Sequence, residues 1–303
     1  LIGTILFGTW RFFPRLFWPL LHNARFPQLI YHGGLLSVGM GLALLFTRAT
    51  LPLDLFNILA YFVALIAVGC AWIASVIAND LFDQNIDNIT NPKRPLPTEA
   101  LTKSTYRALG WTFFFVSLLF GFIVHPMLGL LLLAYQALAW IYSAPPLRLK
   151  RFPIVATFIA GVAGILILIA GFVMVAPSGN IASLPSSFLI FFLITYTFSL
   201  PLKDFKDIKG DHADGVYTLP VILGEDKAKL LIGSGIFLAF VVSTVILNTP
   251  QLFFWSAIFG GLAFWTLLSS REQPGSWLNY RLLPGWILSY IILYGCVIIF
   301  TLL

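Results

Sequence analysis

Charge is scarce in this chain: only 10% of its 303 residues are Asp, Glu, Lys or Arg, with 12 acids against 18 bases. A soluble domain needs a charged surface that such a composition cannot supply. With 59% hydrophobic residues and a mean hydropathy of +0.93, the chain reads as an integral membrane protein. Cysteine is nearly absent. Cys70 and Cys296 each sit in an apolar stretch, which argues against a disulfide framework or a thiolate metal site and for small buried hydrophobes. There is no Gly-x-x-x-x-Gly-Lys loop and no nucleophile elbow, so nucleotide hydrolysis and acyl transfer lack their parts. His22, His32, His125 and His212 show no metal-ligand spacing, although His212 adjoins an acidic motif. The start of the chain lacks a small-residue cleavage site, so no secretory signal is expected.

What is present is a series of apolar stretches of spanning length, at 28–48, 55–78, 107–124, 126–143, 153–175, 186–203, 229–247, 250–268 and 283–303. They predict nine transmembrane helices. Pro126, Pro153, Pro250 and Pro284 stand near helix starts, where a missing N–H costs least. Residues 1–24 mix Trp, Phe and Leu with Arg11 and Arg15, a pattern expected of an amphipathic helix lying in the interface. Placing the N-terminus in the cytosol puts every base except Arg48 on the cytosolic side. The positive-inside rule therefore supports nine spans, a cytosolic N-terminus and an external C-terminus. The same placement makes the formal charge of +6 a matter of topology, with no nucleic-acid partner implied.

The few acids are concentrated. All except Asp54 and Glu272 fall in two cytosolic loops, 79–106 and 204–228. Each loop opens with one pattern, D-x2-D-x3-D: Asp80, Asp83 and Asp87, preceded by Asn79, and then Asp204, Asp207 and Asp211. The repeat suggests an internal duplication in which the second and third spans match the sixth and seventh. Spacing i, i+3, i+7 predicts three carboxylates on one helical face. Two carboxylates about 6 Å apart repel by roughly 3 kcal/mol at an effective dielectric of 20. Two such faces brought together call for cations, naturally Mg²⁺, and paired Mg²⁺ calls for a diphosphate. Bases follow each motif. Lys93 and Arg94 come after the first, and Lys203 and Lys206 flank Asp204. A third cytosolic segment, Tyr142 to Arg151, holds Arg148 and Lys150 after a Pro145-Pro146 helix stop.

On these residues the chain resembles the UbiA superfamily of intramembrane prenyltransferases. The family's N-D-x-x-D-x-x-x-D motif corresponds to Asn79 to Asp87, and its second acidic motif to Asp204 to Asp211, followed by Gly215 and Thr218-Leu219-Pro220. The resemblance covers almost the whole chain. It implies an all-α, polytopic, single-domain protein with nine helices around a central cavity, the two motifs facing each other under a cytosolic cap. It implies that Asp80, Asp83, Asp204 and Asp207 ligate two or more Mg²⁺ ions, assisted by Asn79, Asp87 and Asp211. Lys93, Arg94, Tyr142, Arg148, Lys150 and Lys203 become the expected contacts of a polyprenyl diphosphate. The expected reaction transfers a polyprenyl group, such as geranylgeranyl, to an aromatic or lipid-alcohol acceptor through an allylic carbocation. The run Asn91-Pro92-Lys93-Arg94-Pro95-Leu96-Pro97 departs from the 4-hydroxybenzoate and haem-type branches. It looks closer to the branch of chlorophyll synthases and archaeal geranylgeranylglyceryl phosphate synthases; naphthoate enzymes remain a further acceptor class. Two other classes use acidic clusters: a divalent-cation or anion transporter, whose acids belong near the midplane, and a lipid phosphotransferase, which carries a single dense motif.

Overall fold

A computed structural model describes residues 11, 13–213, 215–246, 248–273 and 275–302. Residues 1–10 and 12 of the expected interfacial helix lie outside them, as do Asp214 and the side chain of Cys296. The described residues form helices joined by turns, with one isolated bridge between Arg271 and Asn279. Among them, eight helices are long and apolar enough to cross a membrane, and a ninth apolar stretch, Leu283–Tyr294, is shorter. Large exposed side chains such as Leu45, Phe56, Phe115, Ile123, Val245 and Phe254 suit a lipid surround. Each helix satisfies its own backbone, as a multi-pass membrane protein requires.

The chain divides into two compact units. The first runs to Leu149 and adds Ala163–Leu184. It contains α1 (Pro14–Asn23), α2 (Phe26–Thr47), α3 (Leu55–Phe82), α4 (Gln84–Thr90), α5 (Lys103–Val124), α6 (Pro126–Ser143) and the second half of α7 (Pro153–Val175). Starts and stops follow local chemistry. Asp54 caps α3 by accepting the Asn57 N–H at 2.8 Å, and Thr102 caps α5 by accepting that of Thr105 at 3.2 Å. His125 caps α6 through the Met127 N–H at 3.2 Å. Asp54 and His125 are thus helix starts rather than site groups. α3 packs against α2, α5 and α6. Below the first acidic motif Ile77, Leu96, Leu101 and Tyr106 form a buried cluster, against which Leu16 and Leu20 of α1 pack.

α2 and α7 meet backbone to backbone. A Cβ on Gly39 would lie 1.9 Å from the Leu168 carbonyl oxygen, and one on Gly171 would lie 1.9 Å from that of Leu36. The contact is reciprocal, so each helix contributes a glycine where the other contributes a carbonyl. This is the small-residue packing by which membrane helices approach closely.

The second unit holds Lys150–Val162 and the chain from Pro185. Its elements after α7 are α8 (Ser186–Ser199), a tighter 3₁₀ continuation over Leu200–Lys206, α9 (Ile208–Ala213), α10 (Leu219–Leu223), α11 (Glu225–Ile246), α12 (Phe253–Ser269) and α13 (Leu283–Leu302). α11 packs on α8 and α12, and α12 on α13. Leu202, Phe205, Ile232, Ile236, Phe240, Leu267, Tyr280 and Ile287 build one core. At its edge Lys229, only 4% exposed, is paired. Its ammonium donates to Glu225 at 2.7 Å and to the Ser270 carbonyl at 2.6 Å, and lies 5.1 Å from the centre of the Tyr280 ring. Tyr280 in turn donates its hydroxyl to Glu225. These contacts hold the segment after α12 against the start of α11. Lys229→Met is expected to cost about 2 kcal/mol, less than a fully buried pair because Glu225 can rehydrate. Glu225 is 45% exposed at its side chain. Thermal unfolding of the purified variant checks this.

Candidate active site

The first acidic motif sits where α3 ends. Asp80 lies in the last turn, and the helix breaks at Asp83, whose backbone (φ −105°, ψ 17°) leaves the α conformation before α4 resumes. In the second motif Asp204 lies in the 3₁₀ stretch and the break falls at Asp207, with φ −109° and ψ 5°. The middle aspartate of each motif therefore adopts the same bridge conformation. In both motifs the third aspartate donates its N–H to the carbonyl of the middle one, at 2.8 Å for Asp87 and 2.9 Å for Asp211. This corrects the expectation of three carboxylates along one continuous helical face. Periodicity cannot register a one-residue break, and two features promote it. Asp competes with the helix for its own backbone groups, and Pro201 removes a donor just ahead of the second motif. The matched breaks strengthen the case for duplication, as does the packing of α3 on α5 and of α8 on α11.

All three acids of the first motif are buried: Asp80 is 1% exposed, Asp83 7% and Asp87 2%. Buried carboxylates must be paired, and here arginines pair them. Arg25 and Arg94 reach Asp80 Oδ1 at 2.8 and 3.1 Å, Arg148 reaches Asp83 Oδ1 at 3.1 Å, and Arg94 also bonds Asp87 Oδ1. The other oxygen of Asp80, Oδ2, accepts from Asn23 at 2.6 Å and from the Tyr106 hydroxyl at 2.9 Å. Asn79 accepts from Ser143 at 3.2 Å, and Asn91 donates to Asp87 at 3.3 Å. Burial raises the Asp87 pKa despite the Arg94 bond, and the charges of Asp80 and Asp83 raise it further. Burial works against the Arg94 charge, but Asp80, Asp87 and Asp83 together hold its pKa above the ordinary value.

The second motif is more open. Asp204, Asp207 and Asp211 are half-buried, and Lys206 stands 3.8 Å from Asp207. Gly215, at φ +67°, turns the chain back so that the Val216 N–H bonds the Asp211 carbonyl at 2.8 Å; an L side chain there would be strained. Burial, then the charges of Asp204 and Asp207, push Asp211 up to about 7. With a folded pKa above the unfolded one, the native state keeps a proton that the unfolded chain has lost. In metal-free protein stability is therefore expected to fall as pH rises from 3.8 to about 7. Asp211→Asn flattens that slope, and denaturation at a series of pH values compares the two.

The structure brings Asn79, Asp80, Asp83, Asp87, Arg94 and Arg148 together within the first unit. Tyr142 is half-buried on α6, and Lys93 is exposed. Lys150 is buried and Lys203 exposed, both in the second unit. Asn23, Arg25 and Tyr106 are contacts of Asp80 that sequence reasoning did not single out. Arg25 drew notice only as a cytosolic base.

The donor set is hard oxygen, the kind that Mg²⁺ takes. One oxygen, Asp87 Oδ2, is buried with no hydrogen-bond partner, a lone acceptor that a cation would satisfy. Among the described residues, no three His, Cys, Asp or Glu side chains are gathered closely enough to cage a metal. The arginines supply the positive charge instead. The acids of the first motif thus fit a divalent cation by chemistry and by this unpaired oxygen.

The sequence profile of the UbiA prenyltransferase family matches residues 30–298. A digeranylgeranylglyceryl phosphate synthase of Sulfolobus acidocaldarius is 30% identical over 211 residues, 68% of this chain and 71% of that protein. A chloroplastic chlorophyll synthase of Avena sativa is 28% identical over 196 residues, 60% of this chain and 50% of that protein. The chain spans about half the length of such chlorophyll synthases. Among solved structures, a UbiA homologue from Archaeoglobus fulgidus bound to GPP and Mg²⁺ superposes with a TM-score of 0.64. It is 17% identical, and the match covers 93% of this chain and 99% of that one.

Proposed function

We propose that this chain, which belongs to the UbiA prenyltransferase family, transfers a polyprenyl group from its diphosphate to a lipid-alcohol acceptor. The observation that carries the reading is the group of three buried carboxylates at the end of α3, balanced by Arg25, Arg94 and Arg148. A transporter would place its acids along a path across the bilayer. Here they stand at a helix end, within arginine reach, as a diphosphate site needs.

In this reading Asp80 and Asp83 of the first motif are Mg²⁺ ligands, as are Asp204 and Asp207 of the second. Asn79, Asp87 and Asp211 assist. When bound, Mg²⁺ supplies positive charge against the departing diphosphate. Arg94 and Arg148, with Lys93, Lys150 and Lys203, add charge and hydrogen bonds to the same anion, the arginines in bidentate fashion. Apolar and aromatic walls keep water from the allylic cation and favour it by cation–π contact. The C–O bond to diphosphate breaks first, its electron pair leaving with the diphosphate, and the acceptor oxygen then forms a bond to the allylic carbon of the cation. The hydroxyl proton passes to the diphosphate or to a carboxylate. The loops carrying both motifs face the cytosol, because that placement puts every base except Arg48 on the inner side.

A glyceryl phosphate lipid is the first acceptor class, supported by the archaeal synthase, two thirds of which this chain covers. The aromatic and chlorophyll-type acceptors come second. The test incubates purified protein and Mg²⁺ with geranylgeranyl diphosphate and a panel of geranylgeranylglyceryl phosphate, dihydroxynaphthoate, 4-hydroxybenzoate and homogentisate. Prenylation of the glyceryl phosphate alone, lost in EDTA, is the expected result. Prenylation of an aromatic acceptor instead overturns the acceptor and keeps the reaction. No diphosphate binding at all overturns the reading.

A further inference from the structure

Three successive residues ahead of α2 clip onto α3. Asn23 donates to Asp80 Oδ2 at 2.6 Å, the Ala24 carbonyl accepts from Trp72 Nε1 at 3.2 Å, and Arg25 donates to Asp80 Oδ1 at 2.8 Å. Arg25 takes a left-handed backbone, φ 51°, which an arginine rarely adopts. Asn23 also donates to the Tyr106 hydroxyl at 2.8 Å, and that hydroxyl donates to Asp80 Oδ2 at 2.9 Å. The three groups close a triangle in which every proton is placed. Both amide N–H bonds of Asn23 are used, one toward Asp80 and one toward Tyr106, while Tyr106 accepts one bond and donates the other. Tyr106 is fully buried, so water does not compete for these bonds. Leu16 and Leu20 of α1 pack on the cluster that contains Tyr106, which holds Asn23 at the end of the same helix.

The two oxygens of Asp80 are therefore unlike. Oδ2 is fixed by neutral donors from two directions. Oδ1 is held by the charges of Arg25 and Arg94, which a cation replaces by being positive itself. We infer that Asn23 and Tyr106 are positioning residues of the metal site, anchoring Oδ2 so that Asp80 meets a divalent cation in one orientation. The inference rests on the reading of Asp80 as a metal ligand. Asn23 stands ahead of residues 30–298, where the family profile matches. Tyr106 belongs to neither acidic motif.

The test measures Mn²⁺ binding by electron paramagnetic resonance of the free ion, on the full chain in detergent. Partners that orient a metal ligand typically change affinity by about 10–100-fold when lost. Asn23→Ala and Tyr106→Phe are each expected to weaken Mn²⁺ binding within that range. The double variant is expected to lose less than the product of the two, because both act on one oxygen. The Mg²⁺ concentration for half-maximal turnover should rise in parallel, with kcat recovered at saturating metal. A lower melting temperature with wild-type Mn²⁺ affinity shows a purely structural triangle and overturns the inference. Asp80→Asn separates the two ideas. If it leaves Mn²⁺ affinity unchanged, the ligand reading of Asp80 fails; if it alone weakens binding, only the positioning inference fails. Should Asn23→Ala not fold, Tyr106→Phe decides, since it deletes one hydroxyl and keeps the buried ring.

Discussion

Asp80→Asn is expected to lower prenyl transfer by at least about 10³-fold in a protein that still folds, and Asp204→Asn to do the same. The size follows from charge: a metal's stabilisation of a leaving oxyanion is worth several kcal/mol, and about 4 kcal/mol is a factor of 10³ in rate. Asn keeps the volume of Asp, so packing around Ile77 and Tyr106 survives. The electrostatics do not. With its NH₂ in place of Oδ1 the new amide meets only the Arg25 and Arg94 donors, and with it in place of Oδ2 the Asn23 amide and the Tyr106 hydroxyl must reverse their present donor roles. That mismatch costs about 1–3 kcal/mol of stability. It is limited because Arg94 keeps Asp87 and Arg25 is 26% exposed at its side chain. The check is product formation from labelled geranylgeranyl diphosphate, with melting temperature measured on the same samples. Wild-type turnover in either variant would sink the assignment of that motif to the metal.

The largest expected effect on stability lies at the crossing of α2 and α7. Gly39→Val and Gly171→Val are each expected to destabilise the protein by about 3 kcal/mol or more and to reduce its yield from membranes. Overpacking costs about 1–3 kcal/mol when a side chain can yield. Here the obstruction is backbone, a carbonyl oxygen 1.9 Å from the new Cβ at both positions, so the helices themselves must part. Gly34 and Gly41 on the same helix provide the comparison, since a Cβ on either meets nothing within 4 Å. Alanine there is expected to be neutral or to stabilise by up to about 1 kcal/mol through helix propensity. Thermal unfolding in detergent of the four variants tests the contrast. Equal losses at Gly39 and Gly41 would refute the close crossing.

Much of this was legible in the sequence because it rests on composition and local spacing. Apolar stretches gave the membrane helices, with ends displaced by a few residues where polar turns stay helical, as at Lys103 and Glu225. The repeated D-x2-D-x3-D spacing marked both motifs, and Arg94 and Arg148, which the structure pairs with the first motif's acids, stand out because they follow a motif or a helix stop closely. Asn23 and Tyr106 were not. They lie 57 and 26 residues from Asp80, and only the packing of α1 and α5 on α3 brings them to it. A lone Asn at the end of α1 and a Tyr near a helix start carry no spacing signal. The breaks at Asp83 and Asp207 were hidden for the opposite reason: helical periodicity resumes directly after each one.

The arginine pairing of the first motif also bears on how the protein comes into being. Acids that waited for a metal before being neutralised would leave a newly made chain with buried, uncompensated charge at the mouth of a span. Here Arg25, Arg94 and Arg148 travel in the same polypeptide and neutralise Asp80, Asp87 and Asp83 as soon as their helices meet. Folding of this unit is then expected to need no ion supply. On the reading of these acids as metal ligands, cation loading would be a later exchange of one positive partner for another.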